Sequence, residues 1–259
     1  MARLIVVSLT RTLKQKLPFL RYSFLRAVFG GLNVMRTGQM GDGREEATAE
    51  HVIATAPAGD VDAAIDAIDN FAYDQSILMN VGDEKGQLLD AAVKRANPKI
   101  ALELGAYCGY SGLRIARAAP GAKFFSIEKS GANASVARRV WAHAGLADRA
   151  TCLTGTVDDG TTLDTLTKDY GFTAGCLDFV FIDHWKDIYL DDLQRLMDRG
   201  WLHPGTIVVA DNVGFPGSPK YRAYMKEQQG KLWQTIEHET HVEYQTLVKD
   251  LVLESEFLG

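Results

Sequence analysis

Cysteine is scarce in this chain: Cys108, Cys152 and Cys176 are far apart and form no C-x-x-C pair. A disulfide framework and a cysteine-rich zinc site are thereby excluded, and a reducing compartment is the simpler setting. Long apolar runs are missing too. The longest uncharged stretches of the N-terminal tail, LIVVSLT and AVFGGLNVM, fall far short of the roughly 18 residues a membrane-spanning helix needs. Acids are absent before Asp42, whereas Arg3, Arg11, Lys14, Lys16, Arg21, Arg26 and Arg36 give that tail +7. With a whole-chain charge of -5, the rest carries -12. So acidic a body is not that of a general nucleic-acid binder.

Residues 1–41 interleave those cations with Leu4, Ile5, Val6, Phe19, Leu20, Phe24, Leu25 and Phe29. Three readings stay open: a basic amphipathic segment in peripheral contact with an anionic membrane, a packed or disordered extension, or a targeting peptide. Residues 38–50, GQMGDGREEATAE, read as a linker. The expected organisation is a basic extension and linker at 1–46, then one domain at 47–259. A cytoplasmic protein is expected, touching membrane at most through its tail, and a monomer or weak dimer.

From about residue 47 the pattern alternates. DVDAAIDAIDNFAYD places Val61, Ala64, Ile65, Ile68 and Phe71 at helical spacing, and GQLLDAAVKRA repeats it. Strands are predicted at 99–104, 123–128, 151–153, 177–182 and 206–210, with helices between them, including 131–144 and 187–199. Nearly all-apolar strands alternating with helices imply a parallel sheet covered on both faces, hence an α/β domain.

In such sheets ligands collect beyond the carboxyl ends of the strands. The first strand runs into ELGAYCGYSG, with Glu103 inside the apolar run and Gly105, Gly109 and Gly112 after it. Small residues admit a ligand close to the backbone, and a helix start at Ser111 offers free N–H groups. Glu128 ends the second strand, where an acid can accept from a ribose diol. The dinucleotide pattern G-x-G-x-x-G is not met, because Tyr107 stands where its second glycine belongs. Tyr107 leaves little room for a pyrophosphate, so an adenosine ligand without phosphates, such as S-adenosylmethionine, fits better.

The fourth predicted strand ends at Asp183 and the fifth at Asp211 and Asn212. Three oxygen donors at one sheet edge suit a hard divalent cation, Mg2+ foremost, although an Asp after a strand also serves as a helix cap. With no second His or Cys at ligand spacing, His184 reads as a packing or hydrogen-bonding residue. Lys186, three residues past Asp183, is a candidate general base; otherwise it is a solvated lysine.

Beyond these spacings, the chain resembles the catechol O-methyltransferase family over about residues 50–250, through MNVGDEKGQLLD, LELGAYCGYSG, FIDHWKDIY, ADNVGFPGSP and VEYQTLVKDL. The resemblance implies a Rossmann-like class I methyltransferase: a seven-stranded, mostly parallel sheet with an antiparallel last pair and helices on both faces. It implies S-adenosyl-L-methionine and Mg2+ as cofactors and a small catechol as substrate. Asp183, Asp211 and Asn212 would hold the metal. Lys186 would take the proton from one hydroxyl, and Glu243 would bond the other. Met79, Asn80, Val81, Glu103, Gly105, Tyr107, Ser111, Glu128, Asp183, His184 and Trp185 fall on the methyl-donor pocket. Trp185 and Pro216 would wall the substrate ring, with Asp183, Lys186, Asn212 and Glu243 completing its site.

Three departures stand out: Ile77 where the family commonly has Trp, Val157 and Asp158 where it has Ser-Gln against adenine, and a tail without a long apolar anchor. All the site residues lie beyond residue 76, so the tail is expected to be dispensable for methyl transfer. Competing readings are a related Mg2+-dependent enzyme for larger phenolic esters, a silent protein that binds a partner through its tail, and a dinucleotide oxidoreductase. Retention of Asp183, Lys186, Asp211, Asn212 and Glu243 argues against the silent protein, and Tyr107 against the oxidoreductase.

Overall fold

Strand β1 (Ile100–Leu104) sits mid-sheet because its residues are apolar on both faces: Ala101 faces one side, while Leu102 and Leu104 face the other. A computed structural model describes residues 11–18 and 39–259. β1 pairs in parallel with β2 (Lys123–Glu128) and β4 (Leu177–Ile182); β2 pairs with β3 (Ala150–Thr154), and β4 with β5 (Leu202–Ala210), also in parallel. β7 (Lys249–Phe257) lies antiparallel between β5 and β6 (Trp233–His241). The order is β3-β2-β1-β4-β5-β7-β6, so the strand order reverses between β1 and β4. Side chains can converge there beyond the strand ends.

Two core clusters cover the sheet. One packs Ala101, Phe124, Phe179, Phe181 and Val209 beneath helices α1 (Arg44–Thr55), α2 (Val61–Asp74), α3 (Gly82–Ala96), α4 (Tyr110–Ala118) and α5 (Gly131–His143). The other packs Leu102, Ile127, Val180, Val208 and Ala210 beneath α6 (Thr162–Tyr170), α7 (Tyr189–Asp198) and α8 (Pro219–Glu227). Period-two alternation along fully buried strands feeds both layers.

Local signals set the helix boundaries. Asp60 caps α2 by accepting from Ala63 N, and Ser130 caps α5 by accepting from Asn133 N. At Gly112 an added Cβ would meet Trp141 and Phe124 at 2.5 and 2.8 Å, so this glycine lets α4 lie close to α5 and β2.

The linker expectation is corrected from residue 44 onward. Residues 44–50 belong to α1, where Arg44, Glu45 and Thr48 are buried. Arg44 pairs with Asp42 at 2.8 Å and donates to Ile77 O, while Glu45 accepts from Met40 N and from Tyr107 Oη. A polar composition had masked partners far away in sequence. Of the basic tail, residues 1–10 and 19–38 lie outside the described residues, so the proposed membrane contact falls largely there. No described helix is long and apolar enough to cross a membrane.

Candidate active site

Beyond β1 the backbone turns sharply. Gly105 has φ +99°, and a Cβ on it would lie 2.5 Å from Asp183 O, so only glycine lets the ends of β1 and β4 approach this closely. Glu128 Oε2 accepts from Ala106 N and Tyr107 N at 3.0 Å each, and its Oε1 accepts from Ser130 N at 2.8 Å. That carboxylate therefore fixes the turn that the glycine makes possible. Tyr107 itself, at φ 46°, sends its hydroxyl to Glu45 Oε1 at 2.9 Å, so its phenol packs toward α1.

Glu103 is fully buried on the α1–α5 face, and Ser111 Oγ donates to its Oε1. Burial raises its pKa to about 8, with the nearby charges of Asp183 and Glu128 adding to the rise. It forms no salt bridge among the described residues. A buried acid without a counter-charge suits a cationic ligand.

The loop beyond β4 carries Asp183, His184, Trp185 and Lys186. Lys186 Nζ donates to Asp183 Oδ1 at 2.7 Å and to Tyr189 Oη at 2.6 Å, and Tyr189 Oη donates to Asp211 O at 3.1 Å. Tyr189 thus ties the β4 loop to the end of β5. His184 Nε2 meets Asp192 Oδ2 at 2.8 Å, and its ring stacks on Tyr189, in keeping with a packing and hydrogen-bonding role. Its Nδ1 is buried without a partner among the described residues.

At the end of β5, Asp211 is fully buried. Its Oδ1 accepts from Asn212 N and pairs with Lys85 Nζ at 2.8 Å, while Oδ2 has no hydrogen-bond partner among the described residues. Burial pushes its pKa up to about 7, against the opposing pull of Lys85. Asp183 is also raised, first by burial, with Lys186 opposing. Asn212 adopts φ 53°, and its Nδ2 donates to Glu243 Oε1 and Asp250 Oδ2 at 2.9 Å each, which leaves Oδ1 as its ligand-capable atom. Asp183, Lys186, Asp211, Asn212 and Glu243, far apart in sequence, thus belong to one network.

Lys85 and Asp250, also in this network, had no role assigned from the sequence. Lys85 Nζ reaches Asp211, Glu243 and Asp250. Burial alone would lower its pKa, but the three carboxylates hold it well above the usual lysine range. Glu243 is held below its ordinary value, since Lys85 and Asn212 outweigh its burial. The missed signal is the buried stripe Gly82, Lys85, Gly86, Leu89, Ala92 and Val93, on which a lysine sits at an apolar helical position.

Asn80 Oδ1 accepts from Gly82 N at 3.1 Å, Val81 is buried and Met79 half-buried at the start of α3. Trp185 and Pro216 are exposed. Val157 is buried and Asp158 exposed; together with Arg195 and Arg199 they line a cavity of about 290 Å³. Asp159 fastens that loop by accepting from Thr156 N, Thr161 N and Thr162 N.

Part of the tail also reaches this region. Arg11 pairs with Asp66 and Asp69, Gln15 Nε2 donates to Tyr73 Oη at 2.8 Å, and Thr246 N donates to Gln15 O at 3.2 Å. Thr246 lies three residues past Glu243.

The profile of the O-methyltransferase family matches residues 63–250. A "Probable O-methyltransferase" of Mycobacterium tuberculosis is 64% identical over 228 residues, spanning 88% of this chain and 97% of the relative. The "Catechol O-methyltransferase" of Bos taurus is 40% identical over 188 residues, spanning 72% and 68%. Among solved structures, an O-methyltransferase from Bacillus cereus in complex with SAH superposes with a TM-score of 0.57 at 21% identity, covering 82% of this chain and 90% of that one. That last likeness concerns the fold.

Proposed function

This chain belongs to the O-methyltransferase family, and we propose that it methylates one hydroxyl of a small catechol, using S-adenosylmethionine and a divalent cation, Mg2+. The observation that carries this reading is the network at the ends of β4 and β5, where Lys186, Asp183, Asp211, Asn212 and Glu243 come together and Asp211 Oδ2 has no hydrogen-bond partner among the described residues. A buried carboxylate oxygen without a donor fits a hard cation, so Asp183, Asp211 and Asn212 would hold it. The 40% identity to a catechol O-methyltransferase favours the catechol.

When bound, the cation supplies positive charge that eases deprotonation of the acceptor hydroxyl, and S-adenosylmethionine supplies the sulfonium methyl. Lys186 Nζ receives the hydroxyl proton, and Asp183 and Tyr189 hold the resulting ammonium. Glu243 accepts from the second hydroxyl, so a two-hydroxyl ring is oriented where a monophenol is not. Trp185 and Pro216 flank the flat ring. Glu103 offers its buried carboxylate to the donor's cationic part, and Glu128 the remaining capacity of Oε1 to its diol.

The test is methyl transfer from S-adenosylmethionine to catechol and to phenol, each with Mg2+ and with excess chelator. Metal-dependent turnover of catechol alone is expected. Chelator-resistant turnover, or equal turnover of phenol, would overturn the reading; turnover only of larger phenolic esters would keep the site and replace the substrate.

A further inference from the structure

A lysine on the buried stripe of α3 needs compensation. An unpaired ammonium in the interior is disfavoured by several kcal/mol, yet Lys85 is 1% exposed. Its compensation comes from three elements. Nζ lies 2.8 Å from Asp211 Oδ1, 2.5 Å from Glu243 Oε1 and 3.1 Å from Asp250 Oδ2. Those three acids present ligand oxygens within 4.8 Å of one another, the spacing of a cation site. Asp250 is otherwise consumed by structure: Oδ1 accepts from Gly214 N, Phe215 N and Leu251 N, and Oδ2 from Asn212 Nδ2.

We propose that Lys85 is a positioning residue that serves as the built-in cation of the Asp211, Glu243 and Asp250 triad, holding Glu243 for the acceptor and denying the triad to a metal ion. The inference rests on the divalent-cation reading above and deepens it. With Lys85 on Oδ1, the atom of Asp211 without a partner among the described residues is Oδ2. Charge gives a second argument. Asp183, Asp211, Glu243 and Asp250 face Lys85 and Lys186, which leaves -2 when all are ionised, the charge that a single divalent ion neutralises. Without Lys85 the deficit becomes -3 and the vacated triad has the geometry to take an ion itself. Glu243 would then be drawn to that ion and away from the acceptor hydroxyl.

The experiment titrates the full-length protein, free of donor and acceptor, with Mn2+ alone and follows free Mn2+ by electron paramagnetic resonance. Wild type and Lys85→Arg should bind about one ion per chain, Lys85→Met about two, and Lys85→Met with Asp250→Asn about one again. Rescue by arginine separates a charge role from simple packing. If Lys85→Met fails to fold by circular dichroism, Lys85→Gln replaces it, keeping a donor for Glu243 without the charge. A folded uncharged variant that binds Mn2+ with wild-type stoichiometry and affinity would overturn the inference. Should wild type bind no Mn2+ while the uncharged variant gains an ion, the role of Lys85 would stand and the divalent-cation reading would fall.

Discussion

Replacing Glu103 by glutamine should make the ligand-free protein more stable at alkaline pH. The carboxyl of Glu103 is fully buried, with Ser111 as donor and no salt bridge among the described residues, and burial raises its pKa to about 8 against an ordinary 4.5. The folded state therefore binds the proton more tightly than the unfolded chain, so unfolding free energy falls as pH rises from about 4.5 to about 8 and levels off outside that window. A displacement of that size corresponds to about 5 kcal/mol as an upper bound, comparable with the entire stability of many domains. Glutamine keeps the shape and an acceptor for Ser111 but cannot ionise. Urea denaturation at pH 5 and pH 9 is the assay. The two proteins should lie within about 1 kcal/mol at pH 5, and the variant should lead by several kcal/mol at pH 9. Saturating S-adenosylmethionine, a cationic ligand, should recover more stability for wild type than for the variant at pH 9. Parallel pH dependences would refute the reasoning, because they would mean that Glu103 titrates alike folded and unfolded.

Lys186→Ala should lower kcat by roughly 10²- to 10⁴-fold, as expected on losing a general base, with S-adenosylmethionine affinity by calorimetry nearly unchanged. Gly105→Ala sets a Cβ 2.5 Å from Asp183 O at φ +99° and should cost about 2–4 kcal/mol, read as a fall in Tm together with weaker donor binding. Removing residues 1–18 takes away the bond from Thr246 N to Gln15 O and the donation of Gln15 to Tyr73. About 1 kcal/mol of loop ordering lost should raise the acceptor KM roughly fivefold and leave donor affinity alone; unchanged kinetics would refute this and support the expectation that the tail is dispensable.

The sheet was legible because its strands are short apolar runs with turn residues between them. Of the predicted strands, 123–128 and 177–182 match the observed bounds, and the helix of residues 60–74 begins at its Asp60 cap. β5 begins four residues earlier than predicted, at Leu202, since His203, Pro204 and Gly205 carry no apolar pattern. β6 and β7 follow only from family resemblance: β6, WQTIEHETH, buries only Trp233 and Thr240 and carries Glu237 and Glu239, as a sheet-edge strand can. The start of α1 reads as a linker because its buried Arg44 and Glu45 are ordinary surface residues until Asp42, Met40 and Tyr107 are seen beside them.

Lys85 escaped for the same reason in a stronger form. A strand-end acid announces itself because charge interrupts an apolar run, and Asp183 and Asp211 are legible in that way. A lysine between Glu84 and Gly86 looks like solvated helix surface until burial shows that it faces Asp211, Glu243 and Asp250. Carboxylates concentrated at one sheet edge repel one another, and a fold that gathers them needs cations of its own before any ligand arrives. Lys85 and Lys186 supply those charges from opposite sides of the centre in sequence, one before β1 and one after β4. Lys85 is sealed among three acids, while the side chain of Lys186 is 16% exposed, so the buried lysine is suited to hold the acids in place and the more accessible one to exchange a proton.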